Sequence, residues 1–190
     1  MFRQIPFYLI GLRILLAPAL LLMYGSDVES IWYGVVLTAG LLSDVFDGIL
    51  ARKLGVATEK LRSLDSIADT IFYAGVFLVA VLKHPHLLMP FWFPLACFFL
   101  LEIGRHVFDQ VKFGRSAAYH MWSAKAWGIF LFAGFTEILV FDVAGIGFLG
   151  ALTLGILTNL EGLWASIILR EWHHDVPTIY HAFALNQQRQ

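Results

Sequence analysis

Charge is scarce in this sequence. Of its 190 residues only 14% are Asp, Glu, Lys or Arg, 59% are hydrophobic and 15% aromatic, and the mean hydropathy is +0.74. A soluble globular domain carries about 25% charged residues, so the deficit excludes that class and reads as an integral membrane protein. An excess of basic charge is also missing. The formal net charge of −1 leaves no polybasic surface for nucleic acid. Cysteine is nearly absent, and the lone Cys97, inside an apolar run, excludes an internal disulfide framework and reads as a small buried hydrophobe. The N-terminal apolar segment holds Arg13 and has no small-residue cleavage site behind it, so it is expected to be a retained span. Low-complexity stretches, long linkers and internal repeats are missing too. One domain over residues 1–190 is the economical expectation.

What the sequence does have is apolar runs of spanning length. Six of them, at about 5–24, 31–52, 62–82, 87–104, 126–143 and 145–169, are each long enough for a helix rising about 1.5 Å per residue to cross a hydrocarbon core of ~30 Å. The fold predicted is all-α, a polytopic membrane protein of six transmembrane helices. Lys and Arg set its orientation. Arg3, Arg52, Lys53, Lys60, Arg62, Arg105, Lys112, Arg115, Lys125, Arg170 and Arg189 fall on one side, Lys83 alone on the other. By the positive-inside rule the rich side is cytoplasmic, so both termini are expected inside, with residues 171–190 as a cytoplasmic tail.

Against this background the stretch "LLSDVFDGILARKLGVATEKLRSLDSIADT", residues 41–70, is anomalous. Asp44 and Asp47 are spaced i,i+3 near the inner end of the second span, and Asp65 and Asp69 are spaced i,i+4 in the first turns of the third. Each pair therefore projects from one helix face. The short 53–60 connector predicts antiparallel neighbours whose carboxylate pairs face each other across a cytoplasm-facing polar cavity. Four anions in a low-dielectric setting repel unless they are protonated or bound to cations. Carboxylate oxygens without partnering Cys or paired His suit Mg²⁺, Mn²⁺ or Ca²⁺ rather than zinc, and four could hold two ions. The plainer alternative is that they are solvated helix-end residues pairing with Arg52, Lys53 and Arg62.

The spacing Asp44-x-x-Asp47-Gly48-x-x-Ala51-Arg52, followed by Asp65-x-x-x-Asp69, resembles the signature of the CDP-alcohol phosphatidyltransferases. Pro6 and Arg13, followed by "ILLAP", are similar to the first-helix pattern of that family's phosphatidylglycerophosphate-synthase branch. The resemblance implies six transmembrane helices and a reaction in which an acceptor alcohol attacks the phosphorus of a CDP-linked lipid donor, releasing CMP in phospholipid biosynthesis. It implies Mg²⁺ or Mn²⁺ as cofactor, Asp44, Asp47, Asp65 and Asp69 as metal ligands, and Asp69 as the catalytic base. It also implies that Gly48 and Ala51 admit the nucleotide and that Arg52 contacts phosphate. A homodimer embedded among membrane lipids, in a bacterial cytoplasmic membrane, is expected on the same ground. Two positions depart from the pattern: the glycine four residues before the third aspartate is Leu61, and the asparagine after the first-helix proline is Phe7. A leucine there is expected to narrow the nucleotide pocket.

Other polar residues carry weaker signals. Arg13 and Glu161 lie at similar depth, Glu161 ~13 Å inward of Arg170, so they either line the same cavity, with Arg13 binding substrate, or pair with each other. Asn159 reads as an interhelical hydrogen-bonding residue, and Glu137, towards the outer half, as non-catalytic. In the connector "GRSAAYHMWSAKAWG", residues 114–128, Arg115, His120 and Lys125 are candidates for an anionic acceptor or headgroup. His173 and His174 diverge on a helix and read as headgroup-level residues rather than ligands. Pro90 and Pro94 are expected to kink or start the fourth span. Two functions compete with the transferase: a divalent-cation binding or transport protein, which would need a polar path to the outer face, and a catalytically silent lipid-binding relative.

Overall fold

A computed structural model describes residues 4–26, 28–115, 119, 121–173 and 176–187. Among these residues there is no strand. The helices are α1 (Ile5–Gly25), α2 (Ser30–Lys53), α3 (Glu59–Lys83), α4 (Pro85–Leu88), then a 3₁₀ turn at Met89–Phe91, α5 (Trp92–Phe113), α6 (Trp122–Phe141), α7 (Ile146–Ile168) and α8 (Ile179–Gln187). Six helical segments are long and apolar enough to cross a membrane. Large apolar side chains such as Leu15, Leu22, Ile31 and Trp32 point outward, as expected of surfaces that face lipid. The chain is an integral membrane protein.

The chain resolves into two compact units, Met1–Leu88 with Phe135–Val143, and Met89–Gly134 with Ala144–Gln190. In the first unit α1 packs chiefly against α2 and α3. Its buried residues, Ile10, Arg13, Ala17 and Leu20, recur at helical spacing and form one inward stripe. The corresponding stripe of α2 is Tyr33, Leu37, Gly40, Ser43, Asp47 and Ala51. Each stripe therefore runs without a break from apolar residues into a charged one. Gly40 leaves room for the Phe72 side chain of α3: a Cβ there would lie 2.4 Å from its ring. The α2–α3 turn is closed by local hydrogen bonds, Val56 N–H to the Ala51 carbonyl at 3.0 Å and Leu61 N–H to the Thr58 hydroxyl that caps α3 at 3.2 Å.

In the second unit α5 packs on α7, and α8 packs back on α7. Val176 and Ala182 join Tyr119, Met121, Ala165 and Leu169 in one buried cluster, so the segment expected as a plain tail contributes to a core. The fourth span runs nine residues past its expected end at 104, to Phe113. Polar residues from Arg105 to Lys112 hid this extension from a hydropathy reading, yet they are mostly competent helix formers. Gly114, at φ 70°, supplies the left-handed cap that ends it. The aromatic stretch at Pro90 and Pro94 forms the 3₁₀ turn and first turn of α5, as a helix start requires.

Candidate active site

Three helices of the first unit each bring acidic or basic groups to one point. α1 supplies Arg13, α2 supplies Asp44 and Asp47, and α3 supplies Asp65 and Asp69. The carboxylate pairs of α2 and α3 come together, as expected from the short connector. The α1 guanidinium joins them. Arg13 Nη1 donates to Asp44 Oδ1 at 3.1 Å and to Asp69, and Nη2 donates to Asp65 Oδ1 at 3.0 Å and to Asp47. The reason is packing: α1 lies against both α2 and α3, and Arg13 occupies the position in its inward stripe level with Asp47.

Burial within the cluster is graded. The side chains of Arg13 and Asp47 are 1% and 4% exposed, whereas Asp44, Asp65 and Asp69 are 43%, 34% and 38% exposed. The cluster thus has a closed floor and an accessible mouth. Four ionised carboxylates against one guanidinium leave three negative charges, and one planar fork satisfies only part of their acceptor capacity. Donor atoms of Asp44, Asp47 and Asp65 lie within 4.8 Å of one another, a spacing a single cation can span. All-oxygen, carboxylate-rich and partly open, the set fits Mg²⁺ or Mn²⁺, which retain water or substrate oxygens in their shells.

The other expected residues sort into three groups. Gly48 and Arg52 adjoin the cluster along α2, the Arg52 guanidinium standing 3.6 Å from where a Gly48 Cβ would be. Ala51 is buried with Leu61, Ile10 and Ala68. Arg115 and Lys125 belong to the second unit, where Arg115 lies 4.0 Å over the Trp172 ring and Lys125 4.4 Å over Trp122. His120 and His174 lie outside the described residues. The Arg13–Glu161 pairing is replaced: Arg13 joins the aspartates, and Glu161 accepts a hydrogen bond from Ser123. His173 Nδ1 lies 2.9 Å from the Glu171 carbonyl.

A polar network in the second unit includes Asn159, expected as an interhelical hydrogen-bonding residue, and residues of α5 that the sequence does not single out. Arg105 Nε donates to Asn159 Oδ1 at 2.9 Å and Nη2 to Glu102 at 3.3 Å, while the fully buried Asp109 accepts from the Ser166 hydroxyl. Tyr119 completes it, its hydroxyl 2.8 Å from Ser166 Oγ. Burial, partly offset by that hydrogen bond, holds the Tyr119 hydroxyl above the ordinary phenol pKa. Lys112 Nζ donates to the carbonyls of Ser166 and Ile167 at 2.7 and 3.0 Å, near the end of α7, where a cation complements the helix dipole. The signal was present: Glu102, Arg105 and Asp109 sit at i, i+3 and i+7, one face of a helix.

Residues 3–169 match the family described as CDP-alcohol phosphatidyltransferase. Neither curated proteins nor solved structures give a match. Because the family match covers most of the 190 residues, the chain belongs to the CDP-alcohol phosphatidyltransferase family.

Proposed function

We propose that this chain transfers a phosphatidyl or related phospho-alcohol group from a CDP-linked lipid to an acceptor alcohol, in phospholipid biosynthesis. The observation that carries the reading is the convergence of Asp44, Asp47, Asp65 and Asp69 around the Arg13 guanidinium, in a chain of this family.

In this reading the four aspartates hold Mg²⁺ or Mn²⁺, which when bound neutralise phosphate charge on donor and leaving group. Asp69, at the accessible mouth, takes the proton of the acceptor hydroxyl as its oxygen bonds to the donor phosphorus and the bond to CMP breaks. Arg13 adds a fixed positive charge inside the cluster, which favours the donor's phosphates. Gly48 and Ala51 keep the α2 face low for the nucleotide, and Arg52 is available to phosphate from the exposed side. Arg115 and Lys125 recognise an anionic acceptor or headgroup. The Lys/Arg asymmetry supports a cytoplasmic mouth, the expected membrane is the bacterial cytoplasmic one, and the expected assembly is a homodimer.

The test is CMP release from CDP-diacylglycerol by purified protein across glycerol phosphate, inositol phosphate, serine and lipid alcohols. Release that depends on one acceptor supports the assignment and names the substrate. Lack of release with every acceptor, by folded protein supplied with Mg²⁺ or Mn²⁺, would contradict it and favour the silent relative.

A further inference from the structure

A second convergence of metal-ligating side chains lies in the first unit, at the far end of α3. His84 caps that helix, its backbone N–H bonded to the Ala80 carbonyl at 2.9 Å, and lies fifteen residues (84 − 69) beyond Asp69, or ~22 Å along the helix. His86 follows in α4. Asp142, just past the end of α6, completes the group. His84 Nδ1 is 2.6 Å and His86 Nε2 3.4 Å from the same Asp142 Oδ1, and one donor atom from each of the three residues lies within 4.8 Å of the others.

The backbone is committed to this arrangement. Asp142 has φ 53°, a left-handed conformation uncommon outside glycine, and Val143 N–H closes the end of α6 onto the Glu137 carbonyl at 3.1 Å. The Asp142 side chain is thereby turned to the α3–α4 corner. His84 is only 7% exposed; its Nδ1 is the ring atom that meets Asp142, and its buried Nε2 has no hydrogen-bond partner among the described residues. The neighbouring cation is engaged elsewhere, with Lys83 Nζ 3.3 Å from Ser30 Oγ and 4.2 Å from the Tyr33 ring centroid.

We propose that His84, His86 and Asp142 form a second metal site, for a borderline transition-metal dication of the Zn²⁺ class, remote from the aspartate cluster. Two imidazoles and a carboxylate suit such an ion, whereas the all-carboxylate cluster suits Mg²⁺. The 3.4 Å between His86 Nε2 and Asp142 Oδ1 is the separation of two ligands each about 2.0–2.1 Å from a tetrahedral ion. The 2.6 Å His84–Asp142 contact opens by less than ~1 Å, as the proton it shares gives way to the metal. A fourth position is left to water, and bound metal fastens the α3–α4 corner to the end of α6.

Full-length protein in detergent, with Mg²⁺ in large excess to saturate the aspartates, is exposed to Zn²⁺ or Co²⁺ and desalted. The site predicts about one ion retained per chain, a tetrahedral Co²⁺ absorption band, and a thermal midpoint raised by Zn²⁺. His86→Ala, at an exposed position that does not threaten folding, lowers Zn²⁺ affinity at least ~10-fold and abolishes the band, and Asp142→Asn does the same. Asp44→Asn leaves Zn²⁺ retention unchanged. Failure to retain Zn²⁺ in excess Mg²⁺, or affinity unaltered in His86→Ala and Asp142→Asn, overturns the proposal. Loss of Zn²⁺ in Asp44→Asn alone would assign the ion to the aspartates instead.

Discussion

Arg13 of α1 and Asp47 of α2 form an ion pair at the floor of the aspartate cluster, their side chains 1% and 4% exposed. Removing one partner of a buried pair strands the other charge, at a cost of about 3–5 kcal/mol. Arg13→Ala should therefore unfold far more readily than wild type in chelator. Added Mg²⁺ should restore much of the loss, because a dication takes over the role of neutralising Asp47. Thermal melts of both proteins with and without Mg²⁺ check this. An Arg13→Ala variant as stable as wild type in chelator would show that the pair does not hold the floor together.

Asp69 separates proton transfer from metal binding. Asp69→Asn keeps size and shape but removes the base, so turnover should fall by ~10²–10⁴-fold while Mg²⁺ and donor binding persist at least in part. Single-turnover rates at saturating metal, alongside donor affinity, make the distinction. Near-normal turnover would leave Asp69 as part of a metal cradle only.

Leu61 packs in the apolar cluster with Ala51, Ile10 and Ala68, beside the α2 face proposed to meet the nucleotide. Leu61→Gly should have two opposed effects. Loss of a buried leucine side chain destabilises by about 2–5 kcal/mol, and the space released should tighten binding of the CDP donor. Melting temperature and donor affinity are measured on the same preparation. Folded Leu61→Gly with weakened donor affinity would count against the idea that Leu61 narrows the pocket.

The chemistry of the cluster was legible in sequence, its assembly only in part. Asp44/Asp47 and Asp65/Asp69 announce themselves because i,i+3 and i,i+4 spacing is a local property of a helix. That α1 packs against both α2 and α3, and so delivers Arg13 among the aspartates, depends on which stripes fit together, through contacts such as Gly75 of α3 with Ala17 of α1. The same holds for Asp142, more than fifty residues from His84 in the chain and 2.6 Å from it in space. The end of α5 was misjudged for a different reason. Hydropathy locates lipid-facing apolar surface, and beyond residue 104 α5 turns inward a face built of Arg105 and Asp109.

Orientation rests on the distribution of Lys and Arg. A cysteine placed at the exposed Ala57, between α2 and α3, should resist a membrane-impermeant thiol reagent applied to intact cells and react after permeabilisation. Labelling from outside would reverse the topology and with it the side on which substrates enter.

If the aspartate cluster is a metal-dependent centre for CMP-releasing transfer, CMP release from CDP-diacylglycerol must follow free Mg²⁺ as it is titrated in wild type and Asp44→Asn. Expected are no release in excess chelator, recovery with Mg²⁺ or Mn²⁺, and a shift of the Asp44→Asn curve to higher metal concentration. Full turnover in excess chelator, or superimposable curves for the two proteins, would contradict it.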